Sequence, residues 1–179
     1  MEYYDKAIKN ISDKIKVIED FPKKGVSFRD ISPLLADSEQ MKEAIFWMTK
    51  LNASPDYYIG LDARGFIFAG AMTLLTCNAG VLMCRKQGKL PGNCVKEKYS
   101  LEYREDVLEL QKDVVEEGAR VIIVDDVLAT GGSALCAANL CKKAGLEVVG
   151  ITVLMELSEL GGRTVLEKEG YKVESLLKY

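Results

Sequence analysis

The chain has 179 residues, of which 48% are hydrophobic and 28% charged, enough for one domain with a buried core. It contains no histidine, which excludes Ser-His-Asp and Cys-His nucleophile systems, His-ligated zinc or iron, and an imidazole acid or base near pH 7. The formal net charge of −3 argues against a general nucleic-acid or membrane-surface binder. Five cysteines, an odd number without a CxxC pair, argue against a disulfide framework and favour reduced thiols in a cytoplasmic protein.

Hydrophobic spacing and turn residues predict the elements of the first part of the chain. Isoleucines at helical spacing indicate a surface helix over residues 4–18. Two prolines and a glycine make residues 21–35 a shaped loop. The next segments are predicted as a helix over 38–51 and a strand over 57–62.

Residues 65–84 carry no charge and are long enough to span a membrane as one helix. However, Asn78, Ala79 and Gly80 are turn residues, and a short apolar run follows them. We therefore predict a buried helix, a break and a buried strand, with no membrane span.

The rest of the chain alternates strand and helix patterns. The apolar run within residues 120–126 is typical of a strand that is covered on both faces. The further predicted elements are a helix over about 131–144, a strand over 146–155, a short helix over 161–169 and a last strand near 171–177. Strands that alternate with helices predict an α/β fold with a mostly parallel, twisted sheet flanked by helices.

The most specific feature is VIIVDDVLATGGSA at residues 121–134. A buried strand delivers Asp125 and Asp126 to the carboxyl edge of the sheet, where ligands bind in such folds. The small residues that follow are typical of a phosphate cradle, because glycine lets backbone N–H groups approach an anion and a helix N-terminus is positive. The cradle comprises Ala129, Thr130, Gly131, Gly132 and Ser133.

The two carboxylates would repel a phosphate, so we expect them to face sugar hydroxyls or a bound Mg²⁺. The plainer alternative is a helix cap at Thr130 beside a solvated pair of aspartates. The sequence lacks GxxxxGK[ST] and GxGxxG, so neither a P-loop kinase nor a Rossmann dehydrogenase is indicated.

The same stretch resembles the phosphoribosyl-pyrophosphate-binding motif of the type I phosphoribosyltransferase family. Further segments are similar, in order, to those of the adenine phosphoribosyltransferases: FPKKGVSFRDISPLL, GLDARGFIFAG, RKQGKLPG, YSLEY and VLMEL. The resemblance implies transfer of a ribose 5-phosphate group from phosphoribosyl pyrophosphate to adenine, which gives AMP and pyrophosphate with the help of Mg²⁺. It also implies a single domain over 1–179, with a small N-terminal hood at 1–35 and a long flexible lid loop or hairpin at 85–110.

The resemblance assigns the donor to the cradle and its surroundings. The cradle residues would hold the 5′-phosphate, and Asp125 and Asp126 the ribose hydroxyls, with Mg²⁺ held mainly by the substrate and these aspartates as candidate ligands. The pyrophosphate would be bound by Arg64, Arg85, Lys86 and Lys89. A surface ion pair at Arg64 and a solvated charged loop at 85–89 are the plainer alternatives. In similar enzymes the neighbouring subunit of a homodimer contributes the arginine of this segment, which implies that Arg85 acts in trans.

The resemblance places the base against the first loop. Phe28 would stack on the purine and Leu157 would close its other face, while Arg29 and the backbone around Ser27 read the base edge. On general grounds an aromatic residue after a loop glycine is more often part of the core.

Glu102 and Tyr103 lie in the lid segment, whose composition suits a cover that excludes water. The reaction is a displacement at an anomeric carbon, and its charge separation calls mainly for electrostatic stabilisation by groups such as Arg64. Only one proton must leave the base, and we predict that Glu102 hydrogen-bonds the purine and manages that proton. The alternative is an exposed glutamate on a strand.

Three positions depart from the family pattern. Lys24 stands where a proline is common, Ala63 where a serine is common, and Arg104 where a glycine is usual. Two other functions remain open: a transferase for xanthine, hypoxanthine or guanine, and a non-catalytic ligand-sensing regulator on the same fold. The second would require a nucleic-acid module or a basic face, for which 179 residues at a net charge of −3 give little room.

Overall fold

The computed structural model describes residues 2–101 and 104–179. The chain divides into two units, Met1–Trp47 and Met48–Tyr179.

The first unit contains short helices and a two-stranded sheet. Its elements are α1 (Glu2–Ser12), β1 (Lys16–Ile18), β2 (Phe28–Asp30), α2 (Ser32–Ala36) and most of α3 (Ser38–Lys50). β1 and β2 pair in antiparallel fashion, with Val17 opposite Arg29. The predicted helix over 4–18 is therefore wrong beyond Ser12, because the β-branched residues Val17 and Ile18 extend and pair with β2.

The predicted loop over 21–35 is wrong in part, since it contains β2 and α2. Pro33 lies in the first turn of α2, where the missing N–H costs no helical hydrogen bond. Pro22 and Gly25 do lie in the connection between β1 and β2, and Gly25 adopts a left-handed conformation with φ of +85°. The loop prediction is therefore correct at Pro22 and Gly25 and wrong at Pro33 and at the two short elements.

The second unit is built on one seven-stranded sheet. Its strands are β3 (Tyr57–Leu61), β4 (Gly80–Lys86), β5 (Cys94–Leu101), β6 (Arg104–Gln111), β7 (Arg120–Leu128), β8 (Glu147–Glu156) and β9 (Val173–Lys178). They lie in the order β5-β6-β4-β3-β7-β8-β9. The strands from β4 to β9 in this order are parallel, and the hairpin of β5 and β6 adds to β4 in antiparallel fashion. The predicted mostly parallel α/β sheet is confirmed.

Helices cover both faces of this sheet, as the continuous apolar run of β7 predicts. On one face, Ile59 and Ile123 share a core with Ala137 and Leu140 of α5 (Gly132–Lys143). Side chains alternate along a strand, so Gly60 points to the other face. There, a β-carbon on Gly60 would lie 3.0 Å from the ring of Phe66 in α4 (Gly65–Thr73).

The uncharged segment 65–84 consists of α4, a break and β4, as predicted. None of the helices in the described chain combines the length and the hydrophobicity needed to cross a bilayer. The last helix, α6 (Gly162–Lys168), connects β8 to β9.

The topology brings several connections to one edge of the sheet. β3, β4, β7 and β8 are parallel, so their carboxyl ends meet there. The segments that follow these ends are 62–64, 87–93, 129–131 and 157–161. The second unit therefore presents most of the residues that the sequence singles out along a single edge.

Candidate active site

A cavity of about 240 Å³ lies at this edge, between the ends of β3 and β7 and the start of α5. Its polar lining includes Asp62, Arg64, Asp125, Asp126, Thr130 and Ser133. The structure thus brings together the predicted carboxylates, the predicted cradle and one predicted arginine.

The loop of residues 129–131 leads directly into α5. Gly131 precedes the first helical residue and has a φ of +85°, a conformation that favours glycine. Because glycine has no side chain, nothing at Gly131 itself caps the first N–H groups of the twelve-residue helix α5. These donors and the positive end of the helix favour an anion at the cavity.

Asp125 and Asp126 lie in β7, which extends to Leu128. Asp126 is only 2% exposed, and its backbone N–H donates to Oδ1 of Asp125 at 2.9 Å. Burial raises the pKa of Asp125 well above its ordinary value, and the neighbouring Asp126 adds to this rise. Burial also raises the pKa of Asp126, while Arg64 acts in the opposite direction.

Arg64 stands immediately before α4, in the connection that follows β3. Its Nε lies 3.0 Å from Oδ2 of Asp126, and its side chain is 40% exposed. No donor among the described residues is aligned for a hydrogen bond to that oxygen, so the contact is an ion pair. The approach depends on Gly65, since a β-carbon there would lie 2.5 Å from the carbonyl oxygen of Val124.

The predicted basic segment begins at the end of β4. Nε of Arg85 lies 3.4 Å from Oδ2 of Asp62, and Nη1 donates to the carbonyl oxygen of Lys89 at 3.3 Å. The guanidinium carbon also lies 5.7 Å from the centre of the Phe66 ring. Arg85 is therefore held beside the connection that carries Arg64.

A buried glutamate of β6 anchors the turn after β4. Oε2 of Glu109 accepts the backbone N–H of Gly88 at 2.9 Å, and Oε1 pairs with Nζ of Lys96 at 2.8 Å. The Lys96 ammonium holds the pKa of Glu109 below its ordinary value. Lys86, the last residue of β4, and Lys89, on this turn, are both exposed.

The predicted base-binding residues belong to both units. Phe28 and Arg29 lie in β2, and the Phe28 ring packs edge-on against Phe21 with centroids 5.1 Å apart. The hydroxyl of Ser27 donates to Oε1 of Glu19 at 3.0 Å. Leu157 belongs to the second unit, directly after β8. A joint contact of these residues with one base stays a prediction.

Glu102 and Tyr103 lie outside the described residues, so their predicted roles also stay predictions. The hairpin strands that flank them are described, with Ser100 opposite Glu105 and Leu101 opposite Arg104 in the backbone register.

The described residues offer few ligands for the predicted Mg²⁺. Within the described residues, no group of three or more His, Cys, Asp or Glu side chains could hold an ion. Asp125 and Asp126 could supply only part of a coordination shell, and Asp126 already pairs with Arg64. This donor set fits an Mg²⁺ ion that takes most of its ligands from substrate oxygens and water.

Comparisons with known proteins identify the family of the chain. The sequence model of the phosphoribosyl transferase domain family matches residues 32–176. An adenine phosphoribosyltransferase from Clostridium perfringens is 46% identical over 172 residues, which are 95% of this chain and 98% of that protein. The chain belongs to the adenine phosphoribosyltransferase family.

Solved structures of the adenine phosphoribosyltransferase family share the fold. The crystal structure from Thermoanaerobacter pseudethanolicus has a TM-score of 0.90 at 40% identity and covers 96% of this chain and 99% of that one. The crystal structure from Saccharomyces cerevisiae has a TM-score of 0.89 at 33% identity, covering 97% of this chain and 99% of its own. That enzyme is complexed with adenine and D-2,5-dideoxy-2,5-imino-altritol 1,6-bisphosphate.

Sequence reasoning missed several residues at the edge of this adenine phosphoribosyltransferase family member. Asp62 is the last residue of the predicted strand over 57–62, and the rule that indicated Asp125 could have found it. Gly162 donates its N–H to the carbonyl oxygen of Ala129 at 3.1 Å, but no local pattern marks a glycine that packs against a distant loop. Glu109 is equally hidden, because its partners lie on another strand and another turn.

Proposed function

We propose that this chain transfers the 5-phosphoribosyl group of phosphoribosyl pyrophosphate to adenine, and so makes AMP and pyrophosphate for purine salvage. The observation that carries this proposal is the cavity where an uncapped helix N-terminus and two aspartates lie side by side. It offers N–H donors for a phosphate and carboxylate acceptors for sugar hydroxyls in one place. Relatives at 44–46% identity are named adenine phosphoribosyltransferases, which supports adenine as the acceptor.

The reaction breaks the bond between the anomeric carbon and the pyrophosphate oxygen, which leaves with the electron pair. A bond forms from an imidazole nitrogen of adenine to that carbon, and the nitrogen loses its proton. The cradle, Ala129 to Ser133, holds the 5′-phosphate, while Asp125 and Asp126 accept hydrogen bonds from the ribose hydroxyls. These contacts fix the anomeric carbon in position, which lowers the entropic part of the barrier.

The leaving pyrophosphate is assigned to the basic groups of the same edge. Arg64, Arg85, Lys86 and Lys89 supply positive charge where negative charge develops. The side chain of Arg64 is 40% exposed beside the buried Asp126, so pyrophosphate can approach the guanidinium from solvent. Mg²⁺, when bound through the substrate with Asp125 and Asp126 as candidate ligands, neutralises part of the pyrophosphate charge.

The base is assigned to Phe28 and Leu157 as its two walls, with Arg29 and the backbone of Ser27 at its edge. Glu102 accepts the proton that leaves adenine, and Tyr103 lies beside it in the lid segment 85–110. A closed lid would exclude water from the anomeric carbon.

We further propose that the protein forms homodimers, because it has an exposed apolar face. Val81 is in register with Tyr58, and Met83 with Gly60, so both side chains lie on the α4 face of the sheet. Val81 and Met83 are exposed there, as are Ile67 of α4 and Leu74 directly after α4. Leu74 is the most exposed of these four side chains, at 85%. A second copy of the chain would cover this apolar face.

Arg85 lies two residues beyond Met83 on the same face, against the Phe66 ring of α4. A dimer that buries the α4 face would therefore bring Arg85 towards the neighbouring subunit, which supports its action in trans. All five cysteines are unpaired, which supports a reducing, cytoplasmic setting.

The test is to incubate the purified chain with phosphoribosyl pyrophosphate, Mg²⁺ and one nucleobase at a time, and to identify nucleotide by chromatography. We expect AMP from adenine and little product from hypoxanthine, guanine or xanthine. Product from an oxo-purine alone would contradict the choice of base. Donor binding without any nucleotide would contradict catalysis and favour a ligand-sensing role.

A further inference from the structure

A buried ion pair at the carboxyl edge of β8 has no part in the mechanism above. Glu156, the last residue of β8, is buried although it carries a carboxylate. Its partner is Arg163, in the first turn of α6. Buried charges of this kind are stable only when their hydrogen-bonding groups are satisfied, so the surroundings of the pair decide what it does.

The guanidinium of Arg163 links three elements. Nε donates to Oε1 of Glu156 at 3.0 Å and Nη2 to Oε2 at 2.7 Å, a two-pronged contact with β8. Nη1 donates to the carbonyl oxygen of Val173 at 2.6 Å, and Nη2 reaches Oγ of Ser175 at 3.3 Å, both on β9. Ser175 in turn donates to Oε2 of Glu156 at 2.8 Å. We call Glu156, Arg163 and Ser175 the β8–β9 clasp.

The residue before Arg163 touches the cradle loop directly. Gly162 donates its N–H to the carbonyl oxygen of Ala129 at 3.1 Å. A β-carbon on Gly162 would collide with that oxygen, and one on Gly131 would lie 2.9 Å from the carbonyl oxygen of Gly162. The two backbones are therefore in contact with no side chain between them, and a shift of Gly162 must shift the loop.

The start of the connection between β8 and α6 also hydrogen-bonds the backbone next to the cradle loop. Leu157 follows Glu156 and donates its N–H to the carbonyl oxygen of Leu128 at 2.9 Å, one residue before the loop. The clasp therefore fixes both ends of the 157–162 connection, and each end hydrogen-bonds the backbone at or next to the cradle loop.

We propose that Arg163 is a positioning residue for the 5′-phosphate cradle, acting through the β8–β9 clasp and Gly162. This rests on the proposed function, because it takes the loop of residues 129–131 to be the phosphate site. The clasp holds the loop in the conformation that aims N–H groups at the phosphate before the donor arrives. Pre-organisation of this kind strengthens binding of the group that the loop contacts and leaves distant contacts unchanged.

The experiment compares the full-length wild type with Arg163→Met, using titration calorimetry with ribose 5-phosphate and steady-state kinetics. Ribose 5-phosphate carries the phosphate and the sugar but neither base nor pyrophosphate. For Arg163→Met we expect the Kd for ribose 5-phosphate and the KM for phosphoribosyl pyrophosphate to rise roughly tenfold or more. The KM for adenine should rise by a smaller factor, because the clasp also fixes Leu157 at the proposed base site.

The matched control is Glu167→Gln. Glu167 also accepts a hydrogen bond from Arg163, at 3.1 Å, but it is exposed and lies on α6 itself, so its loss leaves the contacts with β8 and β9 intact. We expect wild-type constants for this variant. Arg163→Lys keeps the charge without the planar fork and should show an intermediate loss.

Ser175→Ala removes two clasp hydrogen bonds, from Arg163 and to Glu156, and it decides the matter if Arg163→Met does not fold. We expect a smaller, several-fold rise that is largest in the same two constants. Constants equal to those of the wild type, or a uniform rise that includes adenine, would overturn the positioning role. A wild-type chain that binds no ribose 5-phosphate would instead overturn the proposed function together with this inference.

Discussion

Four carboxylates of the second unit form two groups, whose pKa values are shifted in opposite directions by their surroundings. Glu109 and Glu156 are buried beside a cation, and hydrogen bonds from Lys96 and Arg163 keep the pKa of each below its ordinary value. Burial instead raises the pKa of Asp125 and Asp126, and Arg64 offsets this only in part at Asp126. Ionised Glu109 and Glu156 therefore stabilise the fold. Asp125 and Asp126 provide hydrogen-bond acceptors at the ligand cavity, but their ionisation lowers the stability of the fold.

Asp125→Asn should therefore raise the melting temperature while it weakens ribose binding. The folded-state pKa of Asp125 lies above its unfolded value, so wild-type stability falls as the pH rises from about 4 through the folded pKa. The amide escapes this loss. We expect Tm to be about 2–4 °C above the wild type at pH 7, with the difference vanishing below about pH 4.

Differential scanning calorimetry across this pH range measures the effect. Asp113→Asn is the matched control, because Asp113 is exposed and only accepts a hydrogen bond from the Asn93 amide. A Tm for Asp125→Asn that stays at or below the wild type at pH 7 would contradict the assigned cost of this carboxylate.

Glu102→Leu should lower kcat far more than it weakens donor binding, because a proton acceptor is lost while the contacts with phosphate and pyrophosphate remain. General acid–base groups contribute about a hundredfold or more, and a fall in kcat of that order is expected. Steady-state kinetics together with calorimetric binding of the donor separate the two quantities. Turnover equal to that of the wild type would remove Glu102 from the mechanism.

At the scale of elements, the β5–β6 hairpin supports the turn that follows β4. Glu109 joins them, through the Gly88 N–H on the turn and the Lys96 ammonium on β5. Lys86 ends β4 and Lys89 lies on the turn, so the geometry of this segment determines the positions of two side chains that are assigned to pyrophosphate.

Glu109→Gln should raise the KM for phosphoribosyl pyrophosphate several-fold and lower Tm by about 2–4 °C at pH 7. The folded pKa of Glu109 is lowered, so its contribution is complete above its unfolded pKa of about 4.3 and is lost as the pH falls through the folded pKa. The Tm difference should therefore close on acidification, as it does for Asp125→Asn, but it has the opposite sign because Glu109→Gln lowers Tm at pH 7. Thermal scans from pH 3 to 7 measure this Tm difference, with the exposed Glu116→Gln as the control. A Tm difference that is independent of pH would contradict the stabilising role of the Glu109 carboxylate.

The same elements show what the sequence could and could not predict. β7 and the cradle were predictable because a buried parallel strand, a glycine-rich loop and a helix are consecutive and each has a local pattern. β1 was not, since a three-residue strand has no period of its own and exists by pairing with β2. The Glu156–Arg163–Ser175 clasp was equally invisible, because its members lie on β8, α6 and β9 and meet only when these elements pack together.

At the scale of the whole molecule, the apolar α4 face suggests a direct test of assembly. Leu74→Glu places a charge at the most exposed apolar position of that face and should convert dimers into monomers with low activity. Sedimentation velocity measures the change. Val114→Glu is the control, as Val114 is also exposed but lies outside the α4 face. A Leu74→Glu variant with the sedimentation and activity of the wild type would contradict this interface.

Mixing two inactive variants would decide which subunit's Arg85 completes a site. Arg85→Ala lacks the arginine and Asp125→Ala lacks the ribose acceptor, so each homodimer should have little activity. If Arg85 acts in trans, a mixed dimer has one site with an intact Asp125 from one subunit and Arg85 from the other. Random reassortment would then restore about a quarter of wild-type activity. If Arg85 serves its own subunit, every site of the mixture lacks one of the two residues, and activity after reassortment would remain at the level of the separate variants.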